Sequence, residues 1–122
     1  MNNEKLVNLW FEKGKKAYKF KSNEALKYLR DAAEAGHAEA QYYLGCCYFY
    51  GECGVDEDEN EAVKWITMAA EAGCTEAQDL LGDMYNHGWG VPYSAYDAYQ
   101  WYLKSGNTIE AEKLVRIHEM MQ

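Results

Sequence analysis

Between Asn23 and Gly36 the apolar positions Ala25, Leu26, Leu29, Ala32 and Ala33 recur three and four residues apart, with charged residues between them. That spacing predicts a helix with one buried stripe. Ser22 or Asn23 can cap its start, and Gly36 can take the left-handed conformation that ends it. From Ala38 onward Ala40, Leu44 and Tyr48 fall on one face of a further helix. The pattern then returns: "NEALKYLRDAAEAG" from Asn23 becomes "NEAVKWITMAAEAG" from Asn60, thirty-seven residues later and identical at nine of fourteen positions. Gln41/Gln78, Leu44/Leu81, Gly45/Gly82 and Tyr48/Tyr85 share the same offset. Helices are expected near 3–20, 23–35, 38–50, 59–72, 75–87, 94–105 and 108–121.

Repetition of a whole helix pair predicts an all-α fold, an αα-hairpin solenoid in which about three helix-turn-helix units (3–37, 38–74 and 75–107) wind into a right-handed superhelix. Thr108 can cap a last helix carrying Leu114, Val115, His118 and Met121 on one side, and this helix is expected to cover the end of the stack. Gly45 and Gly82 each cost a helix interior about 1 kcal/mol, which makes sense where a neighbouring helix must come close. Ala32/Ala33 and Ala69/Ala70 suit close packing on the second helices, and Trp65 and Trp101 the larger gaps between hairpins. In the loop "GWGV", Val91 is expected to anchor inward and Trp89 to lie at the surface or against a neighbour.

Composition narrows the function classes. The 122 residues are 48% apolar with one proline, so one compact domain without long linkers is expected. No apolar leader core or membrane-length run is present, so the expected location is the cytoplasm, away from membranes. The net charge of −8 is divided: residues 1–30 carry eight Lys/Arg against three acids, and residues 31–122 four against seventeen. An acidic body repels phosphate backbones and attracts basic surfaces, so no nucleic acid is expected as a partner. The cluster Lys13, Lys15, Lys16, Lys19 and Lys21 reads as a solvated helix face.

Little in the chain points to chemistry. Cys46, Cys47, Cys53 and Cys74 lack paired metal-ligand spacing and read as reduced, partly buried thiols. His37, His87 and His118 fall in different units, His37 as a turn residue. A calcium loop starting at Asp56 would need glycine at 61 and glutamate at 67, where the chain has Glu61 and Thr67. Asp58 and Ser94 read instead as helix caps. "GWGV" lacks the Lys-Ser/Thr and preceding strand of a phosphate loop. No catalytic, cofactor-binding or metal site is expected, and the protein reads as no enzyme.

The pattern "AEAQYYLG..Y..G..GV..D...A..W...AAEAG" in residues 38–73, with "EAQDLLGDMYNHGWGV" and "AYQWY" in residues 76–102, resembles the Sel-one-like repeat, a relative of the tetratricopeptide repeat. Residues 14–36 lack the longer loop and look more like a plain tetratricopeptide hairpin. The resemblance implies a protein-interaction scaffold whose first helices line a concave groove. If Gly45 and Gly82 mark the tight contact within each hairpin, offsets −6, −3, +1, +4 and +5 face that groove. Unit two then presents Glu39, Tyr42, Cys46, Phe49 and Tyr50, and unit three Glu76, Asp79, Asp83, Asn86 and His87. Around Gly14 the same offsets select Asn8, Phe11, Lys15, Tyr18 and Lys19. Aromatics beside acids suit a protein or peptide segment carrying Lys or Arg. The competing role is an immunity or inhibitor protein that neutralises a basic toxin or nuclease. A monomer is expected in preference to self-association through "LVNLWF".

Overall fold

The computed structural model describes residues 3–122. Among these residues seven helices form: α1 (Asn3–Lys19), α2 (Glu24–Glu34), α3 (Ala38–Tyr50), α4 (Glu59–Glu71), α5 (Thr75–His87), α6 (Ala95–Ser105) and α7 (Thr108–Met120). Among the described residues there is no strand. Each helix packs mainly on those before and after it, and α1 also touches α3. This nearest-neighbour pattern is that of a helical solenoid, in which no unit can bury its apolar stripe alone.

Within each hairpin the first helix meets the second at its glycine. A Cβ on Gly45 would stand 2.6 Å from the Ile66 side chain, and one on Gly82 would stand 2.6 Å from the Tyr102 ring. Between hairpins the core is shared. Trp65 of α4 belongs to the cluster of Phe11, Leu29 and Leu44, while Cys46 of α3 belongs to that of Ile66, Leu81 and Met84. Removing any one unit would therefore expose apolar surface on the next, at about 1.5–3 kcal/mol for each large side chain uncovered. The repeated glutamines add a polar clamp. Gln41 Nε2 donates to the Ala33 carbonyl and Gln78 Nε2 to the Ala70 carbonyl, both at 3.1 Å and both buried. Each pins a first helix to the last turn of the helix before it.

The caps agree with expectation at three starts and depart from it at one, α7. Asp58 and Ser94 accept the backbone N–H of Glu61 and Asp97, both at 3.1 Å. At α2, Ser22 Oγ accepts from Glu24 N at 3.2 Å, while Asn23 is helical and makes no side-chain cap bond. Its amide lies against Gly54 in the α3–α4 loop. At α7 the cap is Asn107, whose Oδ1 accepts from Glu110 N at 3.2 Å, and Thr108 is the first helical residue. The side of α7 expected to cover the stack does so only in part. Leu114 packs on the α6–α7 cluster, whereas Val115, His118 and Met121 are exposed.

Candidate functional site

The three helix glycines, Gly14, Gly45 and Gly82, give α1, α3 and α5 a common register, so equivalent positions can be followed from unit to unit. Positions three before and one after the glycine lie a helical turn apart; on α3 and α5 they meet neighbouring elements, while Lys15 on α1 is exposed. Phe11 stacks on His37 with centroids 4.3 Å apart and lies 5.9 Å from Tyr43. Tyr42 packs half-buried on the α4–α5 cluster, and Cys46 is 4% exposed within it. Asp79 Oδ1 accepts from Asn107 Nδ2 at 2.6 Å, and Asp83 Oδ1 accepts from the buried Tyr102 hydroxyl at 2.5 Å. Sequence spacing placed Tyr42, Cys46, Asp79 and Asp83 on the open groove. The structure corrects this for Cys46 outright, half-buries Tyr42 on the α4–α5 cluster, and pairs Asp79 with Asn107 at the start of α7 and Asp83 with Tyr102 of its own hairpin. The physical reason is that a first helix packs on its own second helix along the glycine stripe and on the helix before it along another, while residues beside the glycine also enter the core shared with the next unit.

Electrostatics follow from that burial. The Cys46 thiol is pushed up to about 12, chiefly by burial, so it stays un-ionised. The Tyr42 and Tyr102 hydroxyls are raised by the same desolvation. Burial also raises the Asp83 carboxyl, against the opposing hydrogen bond from Tyr102 and with the Asp79 charge adding to the rise. All four cysteines are buried with free thiols. Among the described residues, no three His, Cys, Asp or Glu side chains converge as a metal site. No helix among them is long and apolar enough to cross a membrane.

The remaining offsets stay open or half-open. Glu39 and Glu76, in the first turns of α3 and α5, are exposed. Glu76 is held below the usual carboxylate range, first by its own backbone N–H at the start of α5. At the other end of the same helices, Phe49 and Asn86 are half-buried and Tyr50 and His87 exposed. Here the rings form a continuous run: Tyr50 edge-on to Phe49 at 5.0 Å, Phe49 to Trp89 at 5.5 Å, and Trp89 stacked on His87 at 4.3 Å. His87 Nδ1 donates to the Asp83 carbonyl at 2.9 Å, which holds the ring under Trp89. Tyr50 is 55% and Trp89 36% exposed.

Sequence reasoning left Trp89 outside the site, and nothing in "GWGV" could have shown which helix its ring would meet. Val91 packs inward on the α4–α5 cluster, as expected, and tethers the loop that carries Trp89. At the α1 end, Lys21 lies 3.8 Å over the Tyr18 ring and pairs with Glu52 at 3.0 Å. That contact ties the end of α1 to the α3–α4 loop.

Comparisons with known proteins agree with this architecture. The sequence model of one family, the Sel1 repeat, matches residues 9–37, 38–74 and 75–107. A protective antigen of uropathogenic Escherichia coli displaying an SLR fold superposes with a TM-score of 0.82 at 27% identity, covering 95% of this chain and 26% of the antigen. A Sel1 repeat protein from Oxalobacter formigenes superposes with a TM-score of 0.68 at 29% identity, over 70% of this chain and 25% of that one. Cysteine rich protein B of Helicobacter pylori shares the fold, with a TM-score of 0.65 at 22% identity over 77% and 69% of the two chains. The chain thus spans about a quarter of the length of the first two. Among curated proteins none matches it in sequence.

Proposed function

Because this chain belongs to the Sel1 repeat family, we propose that it is a non-enzymatic interaction scaffold whose first-helix face holds a basic segment of a partner protein. The observation that carries this reading is the run Tyr50–Phe49–Trp89–His87, a partly open aromatic surface shared by two units, with Phe49 half-buried between exposed rings. Aromatic faces attract Lys and Arg and supply large contact area at low entropic cost. Residues 31–122, which carry both α3 and α5, hold seventeen acids against four bases. That field favours a cationic segment and speeds its encounter.

Two of the histidines have structural roles. His37 Nδ1 accepts the Ala40 N–H as the cap of α3, and His87 is held by a backbone carbonyl.

The test is fluorescence anisotropy with labelled Arg/Lys-rich peptides containing an aromatic residue, on wild type and on Tyr50→Ala/Trp89→Ala. Binding to wild type at about micromolar Kd, or roughly −8 kcal/mol, and at least about tenfold weaker binding to the variant is expected. Equal binding by both would remove the strip as the site. Both positions lie at the surface, so circular dichroism should show an unchanged fold.

A further inference from the structure

On α1 the structure shows more than a solvated lysine face. Lys13, Lys15, Lys16 and Lys19 line a cleft of about 650 Å³ with Tyr18 of the same helix and Tyr43 of α3, the two rings edge to face at 5.0 Å. Glu12 is the one acid in its lining. Among the described residues none of these four lysines is in an ion pair. Two of them stand over rings, Lys13 5.7 Å over Tyr28 of α2 and Lys15 5.7 Å over Phe11. Lys15 and Lys19, one helical turn apart on the side of α1 that carries Tyr18, place two like charges beside a half-buried aromatic floor, and an anion seated between them would relieve their repulsion.

We propose that the α1–α3 cleft is an anion site for an acidic stretch of the same partner whose basic segment lies on the aromatic strip. This rests on the scaffold reading above and adds a polarity to its ligand. In the shared register, the row five residues after the glycine runs Lys19, Tyr50, His87, from a cation to aromatic rings. The surface is therefore cationic at α1 and aromatic over α3 and α5, within an otherwise acidic body. Neighbouring packed helices lie about 9 Å apart, so α1 and α5 are separated by roughly 20 Å. An extended chain covers that in about six residues at ~3.3 Å each. The occupant is then a protein segment with carboxylates at one end and Arg or Lys about six residues away. A nucleic acid fits less well, because a phosphate polymer leaving the cleft meets the acids of α3–α5.

Four labelled probes decide the matter by anisotropy: a peptide with an acidic block and a basic block joined by a spacer of about six residues, a basic-only peptide, an acidic-only peptide, and oligothymidylate. Wild type should hold the two-block peptide about tenfold tighter than the basic-only one. Lys15→Glu/Lys19→Glu should abolish that advantage while holding the basic-only peptide at least as tightly as wild type does. Lys15→Gln/Lys19→Gln, which removes charge without adding repulsion, should lose most of it. The proposal is overturned if the acidic block adds nothing, or if its advantage survives both variants. It is likewise overturned if oligothymidylate outcompetes the acidic peptide, which would make the cleft a nucleic-acid site. If the acidic-only peptide binds wild type but not the variants, and the basic-only peptide binds none, the cleft stands and the aromatic-strip reading fails.

Discussion

At the residue scale, two side chains of α5 and α6 are interlocked with a glycine. Tyr102 is fully buried with its ring over Gly82, and its hydroxyl donates to Asp83 one residue further on. Gly82→Ala would put a methyl group 2.6 Å from that ring, and the ring cannot retreat without losing its hydrogen bond. A loss of about 1–3 kcal/mol is expected, read as a lower denaturant midpoint with an unchanged slope. Asp83 gives a pH signature. Its carboxyl is raised, first by burial, so the folded state binds the proton more tightly than the unfolded chain does. Its protonated form therefore adds stability at acid pH, and that contribution is lost as pH rises through the folded value. Asp83→Asn keeps an oxygen to accept from Tyr102 and avoids burying a charge. It should be at least as stable as wild type at neutral pH, within about 1 kcal/mol, and lose any advantage near pH 4, roughly the ordinary Asp value. Thermal melts across that range check the sign.

At the element scale, α7 is held by few residues, and Asn107 is the one with two jobs. It caps the helix through Oδ1 and reaches back to Asp79 through Nδ2. Asn107→Ala removes both and should cost about 1–2 kcal/mol. In a nearest-neighbour array the loss stays local. Amide exchange should quicken along α7 and little in α1 to α4, and uniform quickening would show that the units unfold as one. The caps also mark what local sequence can reveal. Asp58 and Ser94 are legible because a polar residue precedes an apolar periodic run. The Asn107/Thr108 choice is not, since both can cap and the selection is made by Asp79, twenty-eight residues away.

At the scale of the whole molecule, the division of charge should govern association. For a basic partner, raising salt from about 0.05 to 0.5 M should slow binding by roughly tenfold and alter dissociation much less. Stopped-flow mixing measures this, and a salt-independent rate would mean that the acidic body takes no part. A partner held at nanomolar Kd or tighter, with affinity collapsing in salt, would fit a dedicated toxin inhibitor better than an adaptor. Hydrophobic periodicity, the thirty-seven-residue offset and the paired glycines by themselves determined the helices and their pairing, because each is set by contacts within one unit or its copy; the family came from the resemblance of the motifs in residues 38–102. Tertiary structure alone decided which side of each first helix stays open. Tyr42, Cys46 and Tyr50 follow one another at intervals of four along α3, yet Cys46 is buried in the α4–α5 cluster, Tyr42 is half-buried against it together with Phe49, and Tyr50 meets solvent. That difference depends on how one hairpin is rotated against the next, a rigid-body relation that no spacing within a single unit encodes.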